Sequence, residues 1–222
     1  MAAFSLSTRQ KKWITMGALL LPFSIMLVFY LTTRPQIKPL PKYHPLEVSD
    51  IQDTIYHQIP SVAAQTLDGD TLRIGGAGQN AWMGHFFPYP CHDTCQAMLE
   101  RLAEVAGAIK PGAPLQLYSI AVGQDRYGGI SLEEIDQSYP RKPDRWKILQ
   151  MPDEQALEWA RSGFLWEVRN MAQLIMDRRY AYQLVLVDQQ GVIRGQYNIL
   201  DDQDLKKLRD EAVVLIQYSA SS

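Results

Sequence analysis

An α/β sandwich with a central mixed sheet, preceded by one N-terminal transmembrane helix, is the fold class that this sequence predicts. Three observations carry it. An uncharged, mostly apolar run from Trp13 to Thr33 is long enough to cross a bilayer. Beyond it, segments of strand and helix periodicity follow in the order β-β-loop-β-α-β-α-α-β-β-α. The strand segments Ala81 to Phe87 and Leu115 to Val122 are dominated by apolar residues, as buried strands are.

The chain has 222 residues, 46% hydrophobic and 21% charged, which suits one ordinary domain with a core and a tail. The first 34 residues carry Arg9, Lys11, Lys12 and Arg34 and no acid. That leaves 18 of the 22 basic residues against all 24 acidic ones, so the body is acidic. An acidic body without a Lys/Arg stripe argues against nucleic-acid binding and suits a basic protein partner.

Residues 1–12 form a short basic N-terminus and 13–33 the anchor. Twenty-one residues span about 30 Å as a helix, the thickness of a hydrocarbon core. Trp13 and Tyr30 stand near its ends, where amphipathic rings favour the interface, and Pro22 is tolerated within such helices. The run exceeds a signal-peptide core, and no small-residue cleavage site follows it before Arg34. Arg9, Lys11 and Lys12 crowd its N-terminal flank, so the positive-inside rule keeps that end in the cytoplasm or matrix and exports the body. An exported body tolerates disulfides.

Residues 34–58 read as a linker, stiffened by Pro35, Pro39, Pro41 and Pro45. The globular domain is expected over 59–222. Val62 to Ile74 reads as a hairpin turned at Asp68-Gly69. The glycine-rich stretch from Gly75 to Asn80 is a loop, with no Lys-Ser/Thr behind it to make a phosphate cradle. After the strand Ala81 to Phe87, Met98, Leu99, Leu102, Val105, Ala106 and Ile109 fall on one helical face, closed by Pro111-Gly112. Leu115 to Val122 is a further strand. Ser131 to Glu134 resembles a capping box opening a short helix that Pro140 stops. Pro152-Asp153-Glu154 opens another, ending at Gly163. Tyr182 to Asp188 and Val192 to Tyr197 flank Gln189-Gln190-Gly191 as a second hairpin. Leu205, Leu208, Ala212 and Leu215 stripe a terminal helix.

The chain's only cysteines, Cys91 and Cys95, lie four apart between the apolar strand and the amphipathic helix. Both sulfurs therefore sit near a helix N-terminus, where the positive end of the dipole favours thiolate. Residues i and i+4 share a helix face, with Cα atoms about 6 Å apart, within disulfide range. A redox site, a copper site and an inert bridge are all open. Two thiolates hold Cu(I), which is soft and satisfied by two or three ligands. For thiol exchange, Cys91 in the loop is the attacking residue and Cys95 the resolving one. A stabilising bridge this short constrains the unfolded chain little.

Around the pair, His92 can in principle add a nitrogen, although as the neighbour of Cys91 it would have to leave the shared face. His85 reads as a strand-end residue with one polar partner. Asp93 reads as a cap of the helix that carries Cys95. Trp82, Trp146, Trp159 and Trp166 read as core or interface packing.

The segments TLDGDTLRI, FFPYPCHDTC, LYSIAV, Trp146 to Leu149, Gly163-Phe164 and LVLVDQQGVIRGQY, taken in that order behind an N-terminal anchor, resemble the Sco/SenC proteins. Those are thioredoxin-fold, membrane-anchored copper chaperones and thiol reductants of cytochrome oxidase assembly. Their signature F-x-x-x-C-P-D-x-C-P is matched at Phe87, Cys91, Asp93 and Cys95, while its prolines are His92 and Gln96 here. The resemblance implies a thioredoxin-like domain that uses Cys91 and Cys95 for thiol–disulfide exchange and as ligands to copper, Cu(I) or Cu(II). The implied partner is the copper-binding subunit of a respiratory oxidase or another copper or redox protein. The implied location is an inner membrane, with the C-terminal domain in the periplasm or mitochondrial intermembrane space. The family's Asp-Pro after the second core strand is Gly123-Gln124. Its third copper ligand, a histidine about eight residues before the Asp of the L-V-D strand, falls on Tyr180, whose plain reading is packing. The histidines are His44, His57, His85 and His92. That loss motivates an alternative: a divergent Sco-fold protein without copper transfer, serving as an accessory subunit or scaffold of a respiratory complex. Peroxiredoxins want P-x-x-x-T-x-x-C and thioredoxin-like reductases a C-x-x-C with a cis-proline, and neither pattern is present.

Overall fold

The computed structural model describes residues 7–32, 39–48, 54–89, 91, 93–123, 137 and 144–219. The chain divides into two compact units, Met1–Lys38 and Pro39–Ser222.

In the first unit, α1 (Thr8–Thr32) is a 25-residue helix that continues through Pro22. Ser24 Oγ, two residues beyond the proline, donates to the Leu21 carbonyl just before it. Among the described residues no helix is long and apolar enough to cross a membrane. Its side chains from Met16 to Phe29 are all exposed.

The second unit starts earlier than the linker reading expects. Its first strands, β1 (Pro45–Val48) and β2 (Thr54–Tyr56), pair antiparallel. The Tyr43 N–H donates to the Ile193 carbonyl, and Gln58 bridges to Val192. Proline is compatible with the start or edge of a strand, and here Pro45 opens β1 while Tyr43 is hydrogen-bonded to the domain.

The remaining strands are β3 (Val62–Thr66), β4 (Thr71–Ile74), β5 (Ala81–Pro88), β6 (Leu115–Val122), β7 (Trp146–Gln150), β8 (Gln183–Val187) and β9 (Ile193–Asn198). Among the described residues they form one sheet in the order β4-β3-β7-β6-β5-β8-β9. The pairs β5/β6 and β6/β7 are parallel and the others antiparallel, so the sheet is mixed as expected. Both expected hairpins form. Gly69 takes φ +86° in the first turn and Gly191 +79° in the second, a region that favours glycine. In the second turn Asp188 Oδ1 accepts from the N–H groups of Gln190 and Val192.

Helices cover both faces. On one, α2 (Asp93–Ala108) and α6 (Asp202–Ser219) pack Met98, Leu99, Leu102, Leu205 and Leu208 over Met83, Phe87, Leu117 and Leu186. Asp201 starts α6 by accepting from the Gln203 and Asp204 N–H groups. On the other face α3 (Asp153–Ser162), α4 (Met171–Met176) and α5 (Arg178–Ala181) enclose an aromatic stack. Trp159 and Phe164 have ring centroids 4.9 Å apart, Phe164 and Trp166 5.1 Å, and Trp82 and Trp159 5.9 Å. These are ordinary aromatic packing distances. Trp82 lies over Gly84, where an added Cβ would come within 2.7 Å of the indole. The core role expected for Trp82, Trp146, Trp159 and Trp166 holds. The helix expected from Ser131 lies outside the described residues apart from Gln137, which is helical.

Candidate functional site

The parallel strands β5 and β6 run side by side over eight residues, Ala81 with Leu115 through Pro88 with Val122. Their C-terminal ends define one edge of the sheet, and there the chain leaves β5 for α2. The Tyr89 N–H donates to the Val122 carbonyl at 2.7 Å, holding the start of this loop to β6. Gly123 N–H donates to Asp153 Oδ1 at 2.7 Å, tying the end of β6 to the first residue of α3. Gly123 is the first of the two residues that stand where the resembled proteins have Asp-Pro.

Cys91 and Cys95 meet at this edge. They are joined as a disulfide, with Cα atoms 5.4 Å apart, and Cys95 lies in the first turn of α2. The juxtaposition expected from the spacing is therefore present. Both sulfurs are nevertheless buried: Cys91 is 1% exposed and Cys95 4%, in the same core cluster as Phe87, Met98 and Leu99. A disulfide is uncharged and packs as an apolar group, and Cys95 is the first member of the buried α2 stripe that continues with Met98, Leu99 and Leu102. Cys95 Sγ stands 3.9 Å from the Pro88 carbonyl oxygen. Asp93 is exposed and is the first helical residue of α2. There its carboxylate complements the helix dipole. His92 lies outside the described residues.

His85 projects into the same face of the sheet as Phe87, with ring centroids 5.9 Å apart. It is fully buried. Its Nε2 is 2.6 Å from Ser119 Oγ, which also accepts from Trp146 Nε1–H at 2.8 Å. Burial pushes its pKa down to about 3, so the ring is neutral at pH 7. Its Nδ1 has no hydrogen-bond partner among the described residues. The one polar partner expected of His85 is present, but the residue lies inside β5 rather than at a strand end. Ser119 and Trp146 complete a buried polar group that the sequence reading missed. The signal was present: a serine inside the apolar run LQLYSIAV needs a buried partner.

Tyr180 does not join the sulfurs. It belongs to the aromatic core on the opposite face, with its ring 5.4 Å from that of Trp166 and the Arg179 guanidinium 5.3 Å from its centroid. Among the described residues no three or more His, Cys, Asp or Glu side chains gather as a metal site. The Cys-Cys-His set of the resembled family thus has no counterpart in the described residues. What this end of the sheet holds is the Cys91–Cys95 disulfide.

No protein-family model and no curated protein matches the chain. Solved structures do match. BsSco is a member of the Sco family of cytochrome c oxidase assembly proteins in which a disulfide switch was identified. It aligns with a TM-score of 0.57 at 17% identity, over 76% of this chain and 99% of that one. A SCO1/SenC family lipoprotein from Bacillus anthracis aligns at 0.57 and 16% identity, over 72% and 95%. Bradyrhizobium japonicum ScoI, solved with copper bound, aligns at 0.50 and 14% identity, over 70% and 98%. This chain has the thioredoxin-like fold of the Sco/SenC proteins.

Proposed function

We propose that this protein is a divergent, membrane-anchored member of the Sco/SenC family whose Cys91–Cys95 pair serves a copper centre of a respiratory oxidase by thiol–disulfide exchange. The observation that carries the reading is the disulfide itself, at the strand-to-helix edge and with no third ligand gathered among the described residues. In the reduced protein the Cys91 thiolate attacks a disulfide of the partner and forms a mixed disulfide. Cys95 then attacks Cys91 Sγ and releases the partner as a dithiol. Two electrons leave this pair, two thiol protons end on the partner, and the Cys91–Cys95 bond is the product. Because both sulfurs are buried, the first step requires the edge at Cys91 to open.

Copper enters this reading as cargo. The reduced sulfurs can hold Cu(I) as a two-thiolate site, and the copper-bound relative of the same fold supports that. With Tyr180 turned to the other core, such a site lacks the third ligand and releases its metal more readily. Residues 13–33 act as the anchor and 1–12 stay on the cytoplasmic or matrix side. The domain stands in the periplasm or the mitochondrial intermembrane space, facing the copper-binding subunit of the oxidase. The burial of both sulfurs favours a second reading, a scaffold of a respiratory complex that uses neither sulfur.

A Cys95→Ser chain expressed in its own host separates the two. Exchange predicts that Cys91 accumulates in a mixed disulfide with the partner and that oxidase activity falls. Normal oxidase assembly by a Cys91→Ser, Cys95→Ser double variant leaves only the scaffold.

A further inference from the structure

The hairpin at the start of the second unit places two of the four histidines opposite one another. The His57 N–H donates to the His44 carbonyl at 2.9 Å, extending the register in which Pro45 pairs with Tyr56. The bond lies just outside the two strands, at the open end of the ladder, and brings the two residues side by side. His44 is exposed and has φ +59°, a left-handed conformation that is uncommon outside glycine and recurs at ligand sites.

His57 is half-buried, and its Nε2 is 2.9 Å from the Gly163 carbonyl oxygen. A carbonyl cannot donate, so Nε2 carries the proton and the neutral ring keeps its lone pair on Nδ1. A ring oriented by a carbonyl through one nitrogen, with the other free, is how metal-ligating histidines are held. Gly163 caps the C-terminus of the ten-residue α3, and the negative end of a helix dipole favours a cation.

We propose that His44 and His57 form a two-imidazole site for a divalent first-row transition metal, with Cu²⁺ taken in preference to Zn²⁺. Water completes the coordination. The site is independent of the exchange reading, because in the oxidised protein both sulfurs are bonded to each other and cannot ligate. His85 does not compete, since it is buried against Ser119. His92 is the imidazole against which the assignment is controlled.

The test is a titration of the full-length, oxidised protein in detergent micelles with Cu²⁺, followed by calorimetry and by the nitrogen hyperfine pattern in electron paramagnetic resonance. One equivalent bound through two nitrogens is expected, with Zn²⁺ displacing it only in excess. His44→Ala and His57→Asn, the latter keeping an N–H toward Gly163, should each weaken binding by about a hundredfold, as when an intramolecular second contact is removed. Near-UV circular dichroism confirms that each variant is folded, and His92→Ala should bind as the parent does. Binding that survives His44→Ala, binding lost in His92→Ala, or no stoichiometric binding overturns the proposal.

Discussion

Tyr180 lies against Trp166, ring centroids 5.4 Å apart, on the face of the sheet away from Cys91 and Cys95. A histidine at this position therefore does not recreate a three-ligand copper site. Tyr180→His should leave the Cu(I) affinity of the reduced protein within about threefold of the parent. Competition with a chromophoric Cu(I) chelator measures this, and a gain of tenfold or more would mean that the side chain reaches the sulfurs.

The disulfide closes a loop with a sequence separation of only 4. Chain-entropy arguments give such a loop about 2 kcal/mol of stabilisation. Reducing the bond should lower the unfolding free energy by about that amount and leave the domain folded. Urea denaturation with and without a phosphine reductant gives the difference, and global unfolding on reduction would identify the bridge as a structural necessity.

His85 makes stability depend on pH. Its pKa is near 3 in the folded protein and about 6.5 when unfolded. Between those values the unfolded chain binds the extra proton, so stability is full above about pH 6.5 and falls as the pH drops toward 3. The limiting slope for one group is about 1.4 kcal/mol per pH unit. His85→Gln should remove this component, on the order of 2–3 kcal/mol between pH 6.5 and 4.5. Equal pH slopes for parent and variant in urea denaturation would contradict the assignment.

Arg194 and Asp188 form a buried ion pair at 3.0 Å. Arg194 Nη2 also donates to the Leu40 carbonyl at 2.8 Å, so this side chain pins the N-terminal segment of the domain to β9. Arg194→Met leaves the Asp188 carboxylate buried without its cation and should cost about 3–5 kcal/mol. Adding Asp188→Asn should recover part of that loss. A double-mutant cycle in denaturant measures the coupling, and limited proteolysis should show earlier cleavage in 39–48 for the single variant.

The strongly periodic elements were legible in the sequence. Leu115 to Val122 forms β6 with those bounds, Asp68-Gly69 turns its hairpin, and Pro152 and Gly163 bracket α3. Some short elements were not. β7 has five residues, and α4 and α5 have six and four. Helices that short depend on side-chain caps, here Asn170 accepting from the Gln173 N–H and Asp177 from the Arg179 N–H. The meeting of Cys91 and Cys95 followed from their spacing, but their burial did not, because spacing sets which residues share a face and not which way it turns. Traced to its start, the α2 stripe does include Cys95, three and four residues before Met98 and Leu99. Tyr180 was legible as a missing ligand. Its place among the aromatic rings depends on contacts far apart in the chain.

β5 feeds both interiors of the molecule. Trp82 and Phe86 enter the ring stack, while Met83 and Phe87 enter the layer that holds the sulfurs. Side chains alternate strictly along a strand, so a slip of one residue against β6 would exchange the two sets. It would drive indole into the aliphatic layer and carry the turn before Cys91 about 3.3 Å along the sheet. Eight consecutive parallel pairings with β6 hold that alignment. The alignment of this one strand therefore decides at once where the rings stack and where the sulfurs emerge.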